Sequence, residues 1–304
     1  MKKKFCTLAA LLSSVVSFHL CASDELQSKV ELGQGYRHDG LKYSISGLHH
    51  KPNVCSKLDF KNMQVYLTTL KASLSNGTYI GVVDLAYGDI IRGKQRDSDY
   101  LLNNRRGEWS RSKARVSGDY TVDASAKIGR IIPLPSKSTF TPSIGYGAFW
   151  QHLHVRNGHQ IINHCFRVRG NDRIPHLNDT YKTLWSAPFV DGQFSTPLAT
   201  DLTLDLGYTF FYPVRYEGKG HWTLRHMHIT HKNRAWKSYG QKGNVGLRWA
   251  FTDRVELGLG VAMARFTAKD GKTSHKIHGL KTHSPFRRAE RTFVDYLITL
   301  SYAF

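Results

Sequence analysis

The chain has 304 residues, 43 basic against 23 acidic, a formal net charge of +20 and a mean hydropathy of −0.40. No stretch after the amino-terminus holds the 18 or so uninterrupted apolar residues that a spanning helix needs, so a helical membrane anchor is excluded. So basic a chain ordinarily suggests nucleic acid, and the amino-terminus argues against that partner.

Met1 to about Ser23 reads as an export signal. Lys2, Lys3 and Lys4 form its charged start, Phe5 to Leu20 its apolar middle, and Cys21-Ala22-Ser23 a small-residue cleavage zone. Residues 24–304 then form one domain, with no repeat, low-complexity tract or linker. An exported chain rarely meets nucleic acid, whereas a bacterial outer leaflet is crowded with lipopolysaccharide phosphates that arginine and lysine bind well. Cys55 and Cys165 survive processing in predicted loops, where an oxidising compartment permits a disulfide.

Ten strands are expected in chain order, near 29–46, 57–74, 78–92, 114–131, 138–155, 182–197, 201–216, 237–251, 254–267 and 290–304. The alternation is clearest late in the chain. Leu202, Leu204, Leu206, Tyr208, Phe210, Tyr212 and Val214 fall on one face; Val255, Leu257, Leu259, Val261 and Met263 do the same in the ninth strand. Val294, Tyr296, Ile298, Leu300, Tyr302 and Phe304 give the last strand an apolar wall, with an aromatic carboxy-terminus like that of an outer-membrane barrel. Barrels keep their hydrophobicity in every second residue, which mean hydropathy does not register.

The connections alternate in length. Ser75-Asn76-Gly77, residues 133–137, residues 196–200 and Thr252-Asp253 are short; 47–56, 93–113, 156–181, 217–236 and 268–289 are long. That pattern is a meander with brief periplasmic turns and large extracellular loops. The expected fold is an all-β, ten-stranded antiparallel transmembrane barrel, narrow enough for side chains to fill. Phe211, Phe293 and Leu297 are among the inward positions.

Several strings resemble the omptins, ten-stranded outer-membrane proteases. Leu58-Asp59-Phe60-Lys61 is similar to their Leu-Asp-Trp-Lys, and Tyr181-Lys182, Trp185 and Pro188-Phe189-Val190 resemble the entry to their sixth strand. Asp97-Ser98-Asp99-Tyr100 with Gly107-Glu108-Trp109-Ser110 resembles their second long loop. The resemblance implies an aspartic-type endopeptidase without metal or cofactor, activated by lipopolysaccharide. Asp97 and Asp99 would be its carboxylate pair and His221 its general base, with a water between them. Where the omptins read Asp-Glu-His, this chain reads Lys219-Gly220-His221, and a lysine cannot orient the imidazole. Glu217 aligns with an acidic substrate-binding position and is the nearest acid that can replace the missing partner. The rival readings are a non-catalytic surface-binding relative, a small porin and a purely structural barrel.

His226, His228 and His231 have the spacing of metal ligands, but Arg225, Lys232 and Arg234 around them repel a dication. His152 and His154 read as rim positions on the fifth strand.

Overall fold

Period-two patterning dominates the molecule. The computed structural model describes residues 26–304 apart from 165–171, 224–228, 237 and 278–279. The export signal, Cys165, His226 and His228 therefore lie outside the described residues.

Among the described residues fifteen strands are formed: β1 (Gln27–Ile45), β2 (Ser56–Ser75), β3 (Tyr79–Leu102), β4 (Arg106–Val116), β5 (Asp119–Arg130), β6 (Ile132–Pro133), β7 (Thr139–Asn163), β8 (Asp172–Arg173), β9 (Asn178–Pro197), β10 (Leu202–Phe211), β11 (Arg215–Trp222), β12 (Ile229–Ala235), β13 (Tyr239–Ala250), β14 (Val255–Ile277) and β15 (Leu280–Ala303). All belong to one antiparallel sheet. Strand β3 pairs with β4 above and β5 below, and both of those pair with β7. Strand β9 pairs with β10 and β11, which pass to β13 and β12, and both of those meet β14. Strand β15 then returns to β1, from Lys29↔Ala303 to Ile45↔Phe286. The sheet closes on itself, and closure removes the edges that would otherwise recruit another strand.

The fifteen segments exceed the ten expected because long strands are interrupted. Gly118, at φ 77°, separates β4 from β5. Pro213, which has no N–H for a ladder, falls between β10 and β11. Val214 shares the predicted face of Phe210, yet beyond that break it is fully buried while Phe210 is exposed.

A larger correction concerns the loops. Most of 93–113, 217–236 and 268–289 is strand. Outside a bilayer both walls of a hairpin can be polar, so these stretches lose the apolar alternation while their backbone groups still pair. In β3, exposed Arg92, Lys94 and Arg96 alternate with buried or half-buried Gly93, Gln95 and Asp97. Among the expected long loops, 47–55 stays mostly irregular, clasped to the β3 tip by reciprocal Asn53–Asn104 hydrogen bonds of 2.8 and 2.9 Å.

The short turns sit at the opposite end. Asn76 Oδ1 accepts hydrogen bonds from the backbone N–H groups of Thr78 (3.1 Å) and Tyr79 (2.8 Å), and Gly77 supplies the φ of 82°. Asn-Gly thus makes the hairpin its sequence promises.

Outward positions form an apolar band containing Leu32, Tyr66, Ile128, Ile144, Leu259, Ile298 and Leu300. Inward positions stack in layers. Near the short turns lie charged pairs such as Lys127–Asp191 (2.6 Å). At mid-height Arg37 holds Asp295 through two bonds of 2.6 and 2.9 Å and reaches Asp123 at 2.7 Å. Arg291 holds Asp39 at 2.9 Å, and Phe293 lies beside both guanidinium groups. Above comes an aromatic floor of Phe60, Phe149, Trp185, Phe211, Tyr216, Phe266 and Phe286, all buried, each ring contributing about 1.5–3 kcal/mol on burial. Phe211 and Phe293 are inward as expected, and Leu297 packs against the same core.

Candidate functional site

Above that floor the long hairpins carry Asp97 and Asp99 inward from β3. Register fixes their direction: Asp97 shares a rung with Leu58 and, through it, with Tyr43 of β1. Leu58 and Tyr43 are both buried. The β3 tip is held in place by the Tyr100 N–H, which donates to the carbonyl of Cys55 at 2.9 Å.

A third carboxylate joins them, one that sequence reasoning missed. Asp179, at the start of β9, has the parity of Tyr181, Thr183 and Trp185, all buried, and is itself 2 % exposed. It accepts hydrogen bonds from the Thr223 N–H (2.6 Å) and hydroxyl (2.9 Å). The signal was available, since Asp179 stands two residues before the quoted Tyr181-Lys182 string.

Crowding of three acids has a predictable effect. Burial, then the charges of Asp99 and Asp179, raise the Asp97 carboxyl well above the usual range. Burial also raises Asp179, opposed by Thr223, His221 and His154. Beneath them Tyr43 stacks on Tyr181 at 4.6 Å, and the Tyr43 hydroxyl is buried without a hydrogen-bond partner among the described residues.

The imidazole stands on the other face of its strand. In β11, Tyr216 and Trp222 are buried and face the interior, so Glu217, Lys219 and His221 take the opposite wall. His221 is in register with Thr180, on the face of β11 opposite Tyr216 and Trp222, and lies within electrostatic range of Asp179. The inward positions are Gly218 and Gly220. A Cβ at Gly218 would meet the hydroxyls of Tyr181 and Tyr216 at 2.3 and 2.7 Å, and one at Gly220 would meet the Trp222 indole at 2.7 Å. Aromatic rings fill the space that inward-facing polar side chains from this strand would need.

Glu217 shares the face of His221 on β11. It pairs with Arg215 at 2.6 Å and Arg234 at 3.5 Å, and the Arg215 hydrogen bond lowers its carboxyl below the usual range. It neither lines the mouth nor buttresses His221. His231 and His275 share a rung on the inner face, their rings packed edge-on with centroids 4.5 Å apart, and His231 is the more deeply buried. Burial, then His275, depress it to about 3, so it stays neutral. No group of three or more metal-binding side chains occurs among the described residues. Cys55 forms no disulfide among the described residues, which exclude its expected partner Cys165, and burial raises its thiol to about 11.

An antiparallel sheet closed into a barrel, apolar outside and charged within, with acids gathered at one mouth, defines an integral outer-membrane β-barrel. The chain belongs to the Pom family, the Protochlamydia outer membrane proteins, whose family model matches residues 31–304. No curated protein matches the sequence. Among solved structures, the outer membrane protease OmpT from Escherichia coli superposes with a TM-score of 0.81 at 14 % identity, covering 94 % of this chain and 99 % of that one. The translocator domain of the autotransporter NalP from Neisseria meningitidis gives 0.40 at 10 % identity, covering 99 % and 96 %. The first likeness is one of fold.

Proposed function

We propose that the protein is a ten-stranded, omptin-like barrel with extracellular hairpins, whose acidic mouth binds cationic peptide segments without hydrolysing them. Counting β4 with β5, β10 with β11 and β12 with β13, and leaving aside the two-residue β6 and β8, gives ten staves. The observation that carries the reading is the inward pair Gly218 and Gly220, closed over by Tyr181, Tyr216 and Trp222. Hydrolysis in the omptin manner needs an oriented imidazole facing the carboxylate pair across a water. Here Asp99 and Asp179 remain as acceptors for ammonium and guanidinium groups beside the protonated Asp97, with His221 on the opposite face of its strand.

The test uses protein refolded with lipopolysaccharide and a mixed peptide library. Lysine- and arginine-rich peptides are expected to bind in a salt-sensitive way, to weaken on Asp99→Asn with Asp179→Asn, and to be recovered uncut. Cleavage that His221→Ala abolishes would reinstate the endopeptidase.

Lipopolysaccharide remains the proposed membrane partner. Its phosphates suit the outer wall, where Lys182, Lys219 and Lys232 stand directly opposite one another on three neighbouring strands.

A second reading, a narrow porin, draws on the charged interior. Arg291 Nη1 and Asp123 Oδ1 are buried and face each other at 3.7 Å without a direct hydrogen bond among the described residues, a gap that water can complete. A polar column of this kind conducts only if the aromatic floor opens. Single-channel steps in a planar bilayer would support that reading; silence would count against it.

A further inference from the structure

The outer wall contains a notch that neither the mouth nor the lysine row uses. At the junction of β14, β15, β1 and β2 lies a hollow of about 430 Å³. Its cause is local. The register of β2 against β1 slips between Asp39 and Leu41, so Lys61 and Asn62 bulge out, Asn62 with φ 51°. Gly40 faces this bulge and contributes no side chain, and its β15 partner Thr292 is small.

The height of the notch identifies its chemistry. On β15 the outward sequence runs Tyr302, Leu300, Ile298, Tyr296, Val294 and then turns polar at Thr292 and Glu290. On β14 the change comes between Met263 and Arg265. The notch straddles that boundary, with Met263 and Val294 as its lower lip and Lys42, Lys61 and Glu290 above. A bilayer puts acyl chains below this line and headgroup phosphates at it.

Charge on the upper lip points the same way. Glu290 is already held by Arg265 (2.9 Å) and Arg288 (2.7 Å), and Lys61 leans on Asp59 at 3.0 Å. Lys42 shares a rung with Glu290 and Asp59, whose ion pairs are made to Arg265, Arg288 and Lys61 instead, and it borders the hollow directly. An anion entering the notch meets this cation, with the Thr292 hydroxyl beside it.

The geometry points to a dedicated lipid site: one phosphate-bearing lipid headgroup seats over Gly40, its phosphate on Lys42 and Lys61 and its chains along Val294 and Met263. This goes beyond the mouth and its peptides, and depends only on the barrel standing in a membrane.

The experiment adds a photoactivatable phosphatidylglycerol to the full barrel in neutral maltoside micelles and maps the cross-links by mass spectrometry. Labelling is expected on the β1, β14 and β15 segments around the notch. Gly40→Leu fills the hollow without altering charge; its Cβ would meet only ordinary contacts, the nearest at 3.5 Å. That variant should cut labelling about tenfold, and Lys42→Gln with Lys61→Gln should do likewise. Heat-shifted gel mobility confirms that each variant folds, and the lysine pair carries the test if Gly40→Leu does not. Excess inorganic phosphate should leave labelling in place. Labelling unchanged in the folded variants, or competed away by inorganic phosphate, overturns the proposal. A Lys219→Gln variant on the far wall should leave these cross-links unchanged; if it removes them, the lysine row is the site instead.

Discussion

The Tyr181 hydroxyl lies 2.6 Å from that of Tyr216, and both oxygens occupy the space above Gly218 that a side chain would claim. Asn233 donates to Tyr181 at 2.8 Å and in turn accepts from Thr273, so the pair is fixed from β9 across to β14. Gly218→Ala should therefore destabilise the barrel by about 1–3 kcal/mol, because the tyrosines cannot withdraw without breaking that chain. At Gly81, where a Cβ would meet nothing within 4 Å, the same substitution should stay within about 0.5 kcal/mol. Urea unfolding of the refolded variants measures both; equal shifts at the two positions would contradict the packing argument.

Asp97 should make stability depend on pH. Its folded carboxyl is raised by burial and by Asp99 and Asp179, so the folded chain holds a proton that the unfolded chain has released. Where the folded state binds more protons, stability falls as pH rises, from about 3.9 upward through the raised folded value. Asp97→Asn removes the charge, and should raise the denaturation midpoint at pH 8 while leaving it nearly unchanged near pH 3. A variant less stable than wild type at pH 8 would mean that Asp97 is ionised and held by a partner.

Much of this was legible in the chain. Apolar alternation in β10, β14 and β15 is imposed by lipid on one side and core on the other, so those strands could be read directly. Where hairpins rise beyond the apolar band, both walls are polar and the signal fades, which is why 93–113 and 268–289 read as loops. Asp97 and Asp99 are picked out by their string and face inward with Asp179. His221 is picked out the same way, yet its face of β11 could not be read, because a short motif gives spacing without parity. In β11 the glycines at 218 and 220 alternate with Tyr216 and Trp222, and that alternation decides the face. Asp179 stands two residues before a quoted string, and closure of the sheet, which turns the inner faces of β9 and β3 toward one lumen, brings it near Asp97.

The mid-height layer should govern stability. Arg37 is 2 % exposed and bridges Asp295 and Asp123, joining β1 to β15 and reaching β5 across the lumen. Arg37→Met leaves two buried carboxylates short of a cation, at a cost of about 3–5 kcal/mol. Asp295→Asn with Arg37→Met should recover part of that loss, since one stranded charge is gone as well. Unfolding midpoints across this double-mutant cycle provide the measurement, and strictly additive losses would argue against direct coupling. Bilayer recordings of the same variants tell whether loosening the layer opens a path.

The lysine row gives the last prediction its sign. Lys182, Lys219 and Lys232 are exposed and mutually opposite, and directly opposed like charges destabilise a sheet by about 0.2–1 kcal/mol a pair. Without an anion, Lys219→Glu replaces two repulsions with two attractions and should stabilise the detergent-refolded barrel. The gain should shrink as salt is added, because these groups are exposed. With lipopolysaccharide present the order should invert, since wild type gains the phosphate contacts and Lys219→Glu repels them. Melting both proteins with and without lipopolysaccharide, at low and high salt, separates the cases. Stabilisation of wild type and Lys219→Glu to the same extent would remove the row from lipid binding and leave it as a solvated basic wall.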